Sequence, residues 1–140
     1  IKGNVLDFGC GYGAIGVILQ NKFTNSAVIS SDINSRAVEL ANINYQKNGM
    51  HNKAIVSDGF NNIKETFDWI MLNPPIRTGK ANIYHMFEEA YSHLNDAGKL
   101  VIVIQKKQGA ESAIKKLETL FSKVEIIEKN KGYWIIKSVK

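Results

Sequence analysis

Three carboxylates, a cluster of glycines and an amide–proline corner are the residues of this 140-residue chain whose types and spacing could do chemistry. Asp7 stands just before Gly9-Cys10-Gly11-Tyr12-Gly13-Ala14-Ile15-Gly16, Asp32 and Asp58 each close a short apolar run, and Asn73-Pro74-Pro75-Ile76 closes another. Read from Gly11, the glycine segment fits G-x-G-x-x-G, whose glycines permit a tight turn and close approach of backbone to a ligand. Asp32 lies 21 residues past Gly11. A nucleotide-binding α/β fold places there the carboxylate that accepts hydrogen bonds from ribose. The spacing therefore predicts a ribose-containing cofactor.

Three features weigh against a nicotinamide dinucleotide. Asp7 would repel a pyrophosphate seated on the loop. Asp58 could accept a hydrogen bond from an adenine amine. The chain also closes on two strand-like runs, an unusual end for a dinucleotide fold. A cofactor without phosphates and with a cationic ammonium suits Asp7 better, and S-adenosylmethionine is such a molecule. Loop capping would explain Asp7 or Asp58 taken singly. Three acids at three successive strand ends match ligand binding at the carboxyl edge of an open sheet. Cys10 has no neighbouring cation or base to lower its pKa, so it reads as a small residue in a tight loop rather than a nucleophile.

The Asn73-Pro74-Pro75-Ile76 corner suits transfer to nitrogen. Two prolines remove two backbone donors and fix two φ angles. An amide side chain and backbone carbonyls are left projecting from a rigid turn. Such carbonyls accept the two N–H bonds of a planar –NH₂ group, break its conjugation and aim its lone pair at an electrophile. No strong base is required, since the proton can leave after transfer. Positioning of this kind can supply ~7–11 kcal/mol of a barrier in favourable cases.

The elements that must hold these groups alternate. Val5–Phe8, Ala27–Ser31, Lys53–Ser57, Phe67–Leu72 and Leu100–Ile104 read as strands. Between them, Ala14–Gln20, Arg36–Asn48 and a segment with Ile83, Phe87, Ala90, Tyr91 and Leu94 on one stripe read as helices. Asn34 or Ser35 can cap the second of these and Gly49 can end it. The continuous run Leu100–Ile104 predicts a strand buried on both faces. A helix with Ala110, Ala113, Ile114, Leu117, Leu120 and Phe121 follows it. Val124–Ile127 and Tyr133–Ile136 are separated only by Glu128–Gly132, too little for a crossover helix, so they should form an antiparallel hairpin. The expected fold class is α/β: a doubly wound, mostly parallel seven-stranded sheet with helices on both faces and a C-terminal antiparallel hairpin.

Composition narrows the class. Apolar residues make up 44% and charged residues 22%, an ordinary globular composition that argues against wholesale disorder, collagen-like repeats or a coiled coil. No apolar run reaches the ~18 residues of a membrane span. One cysteine excludes an internal disulfide framework and a Cys-based zinc site, and a reducing, cytoplasmic setting is the natural reading. Residues 1–70 hold six basic and six acidic side chains, whereas residues 71–140 hold twelve and seven, so the net +5 lies in the second half. Solvated element faces or a polyanion-binding surface would each produce that excess. His51, His85 and His93 are scattered and read as surface or packing residues. Trp69, Tyr133 and Trp134 read as core or sheet-face residues. Length predicts one domain over 1–140, and the start at Ile1 suggests that an upstream extension is missing.

With these residues in place, the chain resembles the class I (Rossmann-like) S-adenosylmethionine-dependent methyltransferases. Within them it looks like the "methyltransferase small" group, whose better-known members modify a guanine exocyclic amine in small-subunit ribosomal RNA. The segments that carry the resemblance are Asp7–Gly13, Ser31–Asn34, Ser57–Phe60 and Asn73–Lys80. It implies that Asp7, Gly9, Cys10, Gly11 and Gly13 hold the methionine part of S-adenosylmethionine. Asp32 would take the ribose hydroxyls, Ile33 would pack on the adenine, and Asp58 with Gly59 would face its amine. Asn73 and the Pro74 carbonyl, within the corner that Pro75 and Ile76 complete, would hold the target amine beside the cofactor. Arg77 and Lys80 flank that corner and could reach phosphates of ribosomal RNA or the small ribosomal subunit. Ile76 stands where DNA adenine and protein glutamine N-methyltransferases of this style usually show an aromatic residue, which makes those acceptors less suitable. The resemblance also implies an upstream segment that helps cover the site, which is expected to precede Ile1. Other readings are N-methylation of a protein glutamine or a small molecule, a nucleotide-binding module without catalysis, and a nicotinamide oxidoreductase. Neither a membrane nor a metal is expected to take part.

Overall fold

The computed structural model describes residues 3–9, 26–49, 52–74 and 78–140. The helix expected over Ala14–Gln20 lies outside them. Seven strands form one sheet: β1 (Gly3–Phe8), β2 (Ser26–Asp32), β3 (Lys53–Val56), β4 (Phe67–Leu72), β5 (Leu94–Gln105), β6 (Lys123–Asn130) and β7 (Tyr133–Val139). The helices among the described residues are α1 (Ser35–Lys47), α2 (Lys80–Ser92) and α3 (Ala110–Leu120). Strand order is β3-β2-β1-β4-β5-β7-β6. The pairs from β3 through β5 are parallel, and β7 runs antiparallel between β5 and β6. The chain thus winds outward one way from β1 and then the other way from β4. The switch between those two strands opens a crevice at their carboxyl ends.

Side-chain alternation distributes the core over both faces. On one face Tyr45 and Val38 of α1 pack against Ala54, and the buried Tyr45 hydroxyl hydrogen-bonds the Ser30 hydroxyl. On the other, Ile83 and Phe87 of α2 and Ala113 and Leu117 of α3 join Leu6, Ile70, Leu100 and Ile102 in the main core. Asn34 caps α1, accepting from the amides of Arg36 (2.9 Å) and Ala37 (3.2 Å), a contact type worth about 1 kcal/mol.

The structure departs from the sequence expectation in three places. β5 begins at Leu94, not Leu100. Leu94, expected on the helix stripe with Ile83 and Phe87, instead pairs with Phe67 after the helix ends at Ser92, and Ala97 takes φ 62° as an irregularity within the strand. In β5, Leu100, Ile102 and Ile104 are buried, whereas Val101 and Val103 are only half-buried. The hairpin closes more tightly than expected, because β6 runs to Asn130 and only Lys131-Gly132 turn the chain. Both turn residues have positive φ, 51° and 82°, as the two-residue turn that matches strand twist requires.

Candidate active site

The carboxyl ends of β1, β2 and β3 are stitched together by backbone. Gly9 donates its amide to the Ser31 carbonyl (2.8 Å), and Ser57 donates to the Asp32 carbonyl (3.0 Å). Gly9 has φ +74°, and a Cβ built there meets nothing within 4 Å. Backbone conformation, not crowding, therefore calls for glycine where the loop leaves β1. The Asp32 carboxylate is oriented by its own chain, since Oδ1 accepts the Asn34 amide at 2.9 Å while Asn34 caps α1. The cap, the turn and the acid are one unit, and α1 fixes where Asp32 points.

Asp7 is buried at 2% exposure, and its Oδ2 has no hydrogen-bond partner among the described residues. Burial, and secondarily the neighbouring Asp32 carboxylate, push its pKa up to about 6. A buried carboxylate beside a second acid favours a neighbouring cation over a phosphate.

A cavity of about 330 Å³ opens at this edge. Of the residues singled out in the sequence, Gly9, Asp32, Ile33, Asp58, Gly59 and Asn73 line it. Ile33 is 66% exposed beside Asp32, an apolar plate facing the cavity. Gly59 has φ +58° in the turn after Asp58. There the Ser57 hydroxyl donates to the Gly59 carbonyl (2.7 Å) and accepts the Asn62 amide (3.1 Å). Asn73 is exposed at the cavity rim while Pro74 is buried, so the anchor of the corner is inside and its amide outside.

Cys10, Gly11, Gly13, Pro75, Ile76 and Arg77 lie outside the described residues. Lys80 opens α2, with its Nζ 3.5 Å from the Ser112 hydroxyl of α3, and does not line the cavity as described. Thr78, Asn82 and Met86 do line it and were not singled out in the sequence. They recur every four residues, so they share one side of α2 and its entry. That spacing was visible beside the apolar stripe Ile83-Phe87, one residue out of phase. Of the histidines, His93 stacks on Phe60 (4.7 Å) and contacts the Glu65 carbonyl through Nδ1 (2.9 Å), a packing role. Trp134 is buried, whereas Tyr133 is 45% exposed. Among the described residues, no group of three or more His, Cys, Asp or Glu side chains could hold a metal ion. No helix there is long and apolar enough to cross a membrane.

The doubly wound sheet with its antiparallel hairpin, together with a cavity at its carboxyl edge lined by Asp32, Ile33, Asp58 and Asn73 though not by Asp7, belongs with the S-adenosylmethionine-dependent methyltransferases of class I. The family model for the methyltransferase small domain matches residues 1–137, and the chain belongs to that family. It is 50% identical over 143 residues to "Uncharacterized protein YbxB" of Bacillus subtilis (strain 168), a match spanning all of this chain and 71% of that protein. It is 40% identical over 107 residues to ribosomal RNA small subunit methyltransferase C of Haemophilus ducreyi. That match takes in 74% of this chain but only 32% of the Haemophilus enzyme. A methyltransferase from Pyrococcus furiosus superposes with TM-score 0.85 at 25% identity, covering 99% of this chain and 76% of that one. The T. thermophilus 16S rRNA N2 G1207 methyltransferase RsmC, solved with AdoMet and guanosine, also gives TM-score 0.85. At 22% identity, covering 98% of this chain and 37% of that one, this is a likeness of fold.

Proposed function

We propose that this chain is a single methyltransferase domain, 1–140, that methylates an exocyclic amine of guanine in small-subunit (16S-type) ribosomal RNA, in the cytoplasm. The observation that carries the reading is Asn73, an exposed amide held by a buried proline on the rim of the cavity that Asp32 and Ile33 also line. The Haemophilus relative, named for ribosomal RNA small-subunit methylation, and the guanosine in the T. thermophilus structure favour guanine as the acceptor.

In this reading the residues divide the work. S-Adenosylmethionine, when bound, supplies a methyl group on a cationic sulfonium. Asp7 and the glycine loop of Gly9, Cys10, Gly11 and Gly13 hold the methionine part. Asp32 accepts from the ribose hydroxyls, Ile33 covers one face of the adenine, and Asp58 beside Gly59 accepts from its amine. The Asn73 side-chain oxygen and the Pro74 carbonyl accept the two N–H bonds of the target amine, with Pro75 and Ile76 completing the rigid corner. The amine lone pair then points at the methyl carbon. The N–C bond forms as the C–S bond breaks, the sulfur leaves neutral, and the proton on the methylated nitrogen passes to water afterwards. The target base must be unpaired or turned out of its stack to reach this corner. Arg77 and Lys80 contact phosphates on either side of it.

The test is to incubate the chain with labelled S-adenosylmethionine and undermethylated small ribosomal subunits, and to map the modified base. Label on the exocyclic nitrogen of a guanine is the expected result. Label on protein alone would replace guanine by a protein side chain as the acceptor. The cofactor assignment has its own check. Asp32→Ala should weaken S-adenosylmethionine binding by ~1.5–3 kcal/mol, the range for hydrogen bonds to a charged group. An unchanged calorimetric affinity would remove Asp32 from the ribose.

A further inference from the structure

Five of the twelve basic side chains of residues 71–140 are engaged within the fold. Lys116 and Lys137 pair with Glu88 (3.6 Å) and Glu125 (3.1 Å). Lys99 and Lys129 sit over the rings of Trp69 and Trp134. Lys140 donates to the carbonyls of Tyr91 (3.0 Å) and Leu94 (2.8 Å). Lys106, Lys107 and Lys131 have no carboxylate within ion-pair distance among the described residues, and all three line one cleft of about 450 Å³. Gln105, Gly132 and a single acid, Glu111, complete its wall. Three ammonium groups against one carboxylate leave the cleft positive.

The cleft lies on the same rim of the sheet as the reaction corner. Leu72 pairs with Ile102, so Asn73 leaves β4 at the level of Val103 on the neighbouring strand. Gln105 is two residues further along β5. At ~3.3 Å per residue this is about 7 Å beyond the level of Asn73. The lysines are fixed relative to one another by backbone. Lys106 donates its amide to the Gly132 carbonyl at 2.9 Å, tying the end of β5 to the hairpin turn that bears Lys131. The Gln105 side chain donates to the Tyr133 hydroxyl at 2.7 Å across the same junction. This cleft was not singled out in the sequence, because its cations come from two segments 24 residues apart.

We propose that the Lys106–Lys107–Lys131 cleft is a docking site for the phosphodiester backbone of the acceptor RNA, next to the nucleotide being methylated. The inference rests on the RNA reading above and deepens it. The cleft is multiply cationic, with three lysines against one acid, which suits consecutive phosphates rather than the single carboxylate of a peptide side chain. Each phosphate contact on a single strand adds about 0.7 to the slope of log affinity against log salt. Three contacts should together account for about 2.

The experiment measures that slope for a short guanosine-containing single-stranded RNA, titrated with the chain over a range of salt concentrations. The triple variant K106A/K107A/K131A should lower the slope by about 2, while the arginine triple K106R/K107R/K131R should retain it. Each alanine substitution alone should remove about 0.7, which keeps the test sharp if the triple variant folds poorly. Lys115→Ala with Lys123→Ala, removing charge elsewhere, should leave the slope unchanged. If wild type shows a normal slope that the alanine variants keep, the cleft is not the RNA site. If wild type shows no salt-dependent RNA binding, the RNA reading fails and the cleft assignment with it.

Discussion

Asn73→Ala should lower turnover about 100-fold or more, the size of effect seen when one positioned polar group at a reacting centre is lost. The affinity for S-adenosylmethionine should change far less. Asn73 stands on the exposed rim of the cavity, outside the stitched ends of β1 to β3 that hold Asp32 and Ile33. On the proposed function, its removal would take away one of two acceptors that orient the amine, leaving the lone pair to sample directions that do not lead to transfer. Single-turnover rates at saturating cofactor, read beside a calorimetric titration with S-adenosylhomocysteine, separate the two effects. Turnover that survives intact would assign the amine to other acceptors. A loss confined to cofactor affinity would move Asn73 from the acceptor to the ribose.

The second large effect is one of pH. Burial raises the Asp7 pKa from 3.8 to about 6 in the folded chain. A carboxylate shifted upward binds its proton more tightly folded than unfolded. The stability it contributes is therefore fully present below its unfolded value and is lost as pH rises through about 6. Across that window the cofactor-free chain should lose about 3 kcal/mol from this group, visible as a falling melting temperature. A bound cation reverses the preference by favouring the carboxylate. Cofactor affinity should accordingly rise about tenfold between about pH 5 and pH 7, with release of a proton on binding. Asp7→Asn should flatten both profiles while weakening the cofactor. Calorimetry in buffers of different ionisation enthalpy reads the proton directly. An unchanged pH profile in the variant would show that another group titrates.

Much of the sheet was legible because its signals are local. Phe67–Leu72 is a short, mostly apolar run stopped by Asn73-Pro74-Pro75, and β4 has those bounds. The Asn34 cap and the apolar spacing of α1 are also local, and the helix begins at Ser35. Strand extent was less legible where pairing overrides turn chemistry. Asn95-Asp96-Ala97-Gly98 favours a turn by composition, but Leu94 finds Phe67 across the sheet and the bulge is absorbed within β5. The hairpin was longer than its apolar residues suggested, because β7 supplies a partner for the polar Glu128–Asn130 stretch.

The sequence by itself determined the chemical kinds and their order: acids at three strand ends, a glycine turn, an amide before two prolines. Strand ends carry such residues in a linear pattern, because in a parallel sheet each strand delivers its last residue to the same edge. Only the tertiary structure decided which of these groups share a cavity and which side chains complete it. Thr78, Asn82 and Met86 reach the cavity because α2 packs Ile83 and Phe87 into the main core and so turns the adjacent side toward Asn73. The Asp7 shift likewise depends on burial and on the approach of Asp32 from the neighbouring strand. The basic cleft forms because β7 folds back along β5, bringing Lys131 to Lys106. Desolvation and contact between distant segments are properties of the packed chain, and no spacing along the sequence contains them.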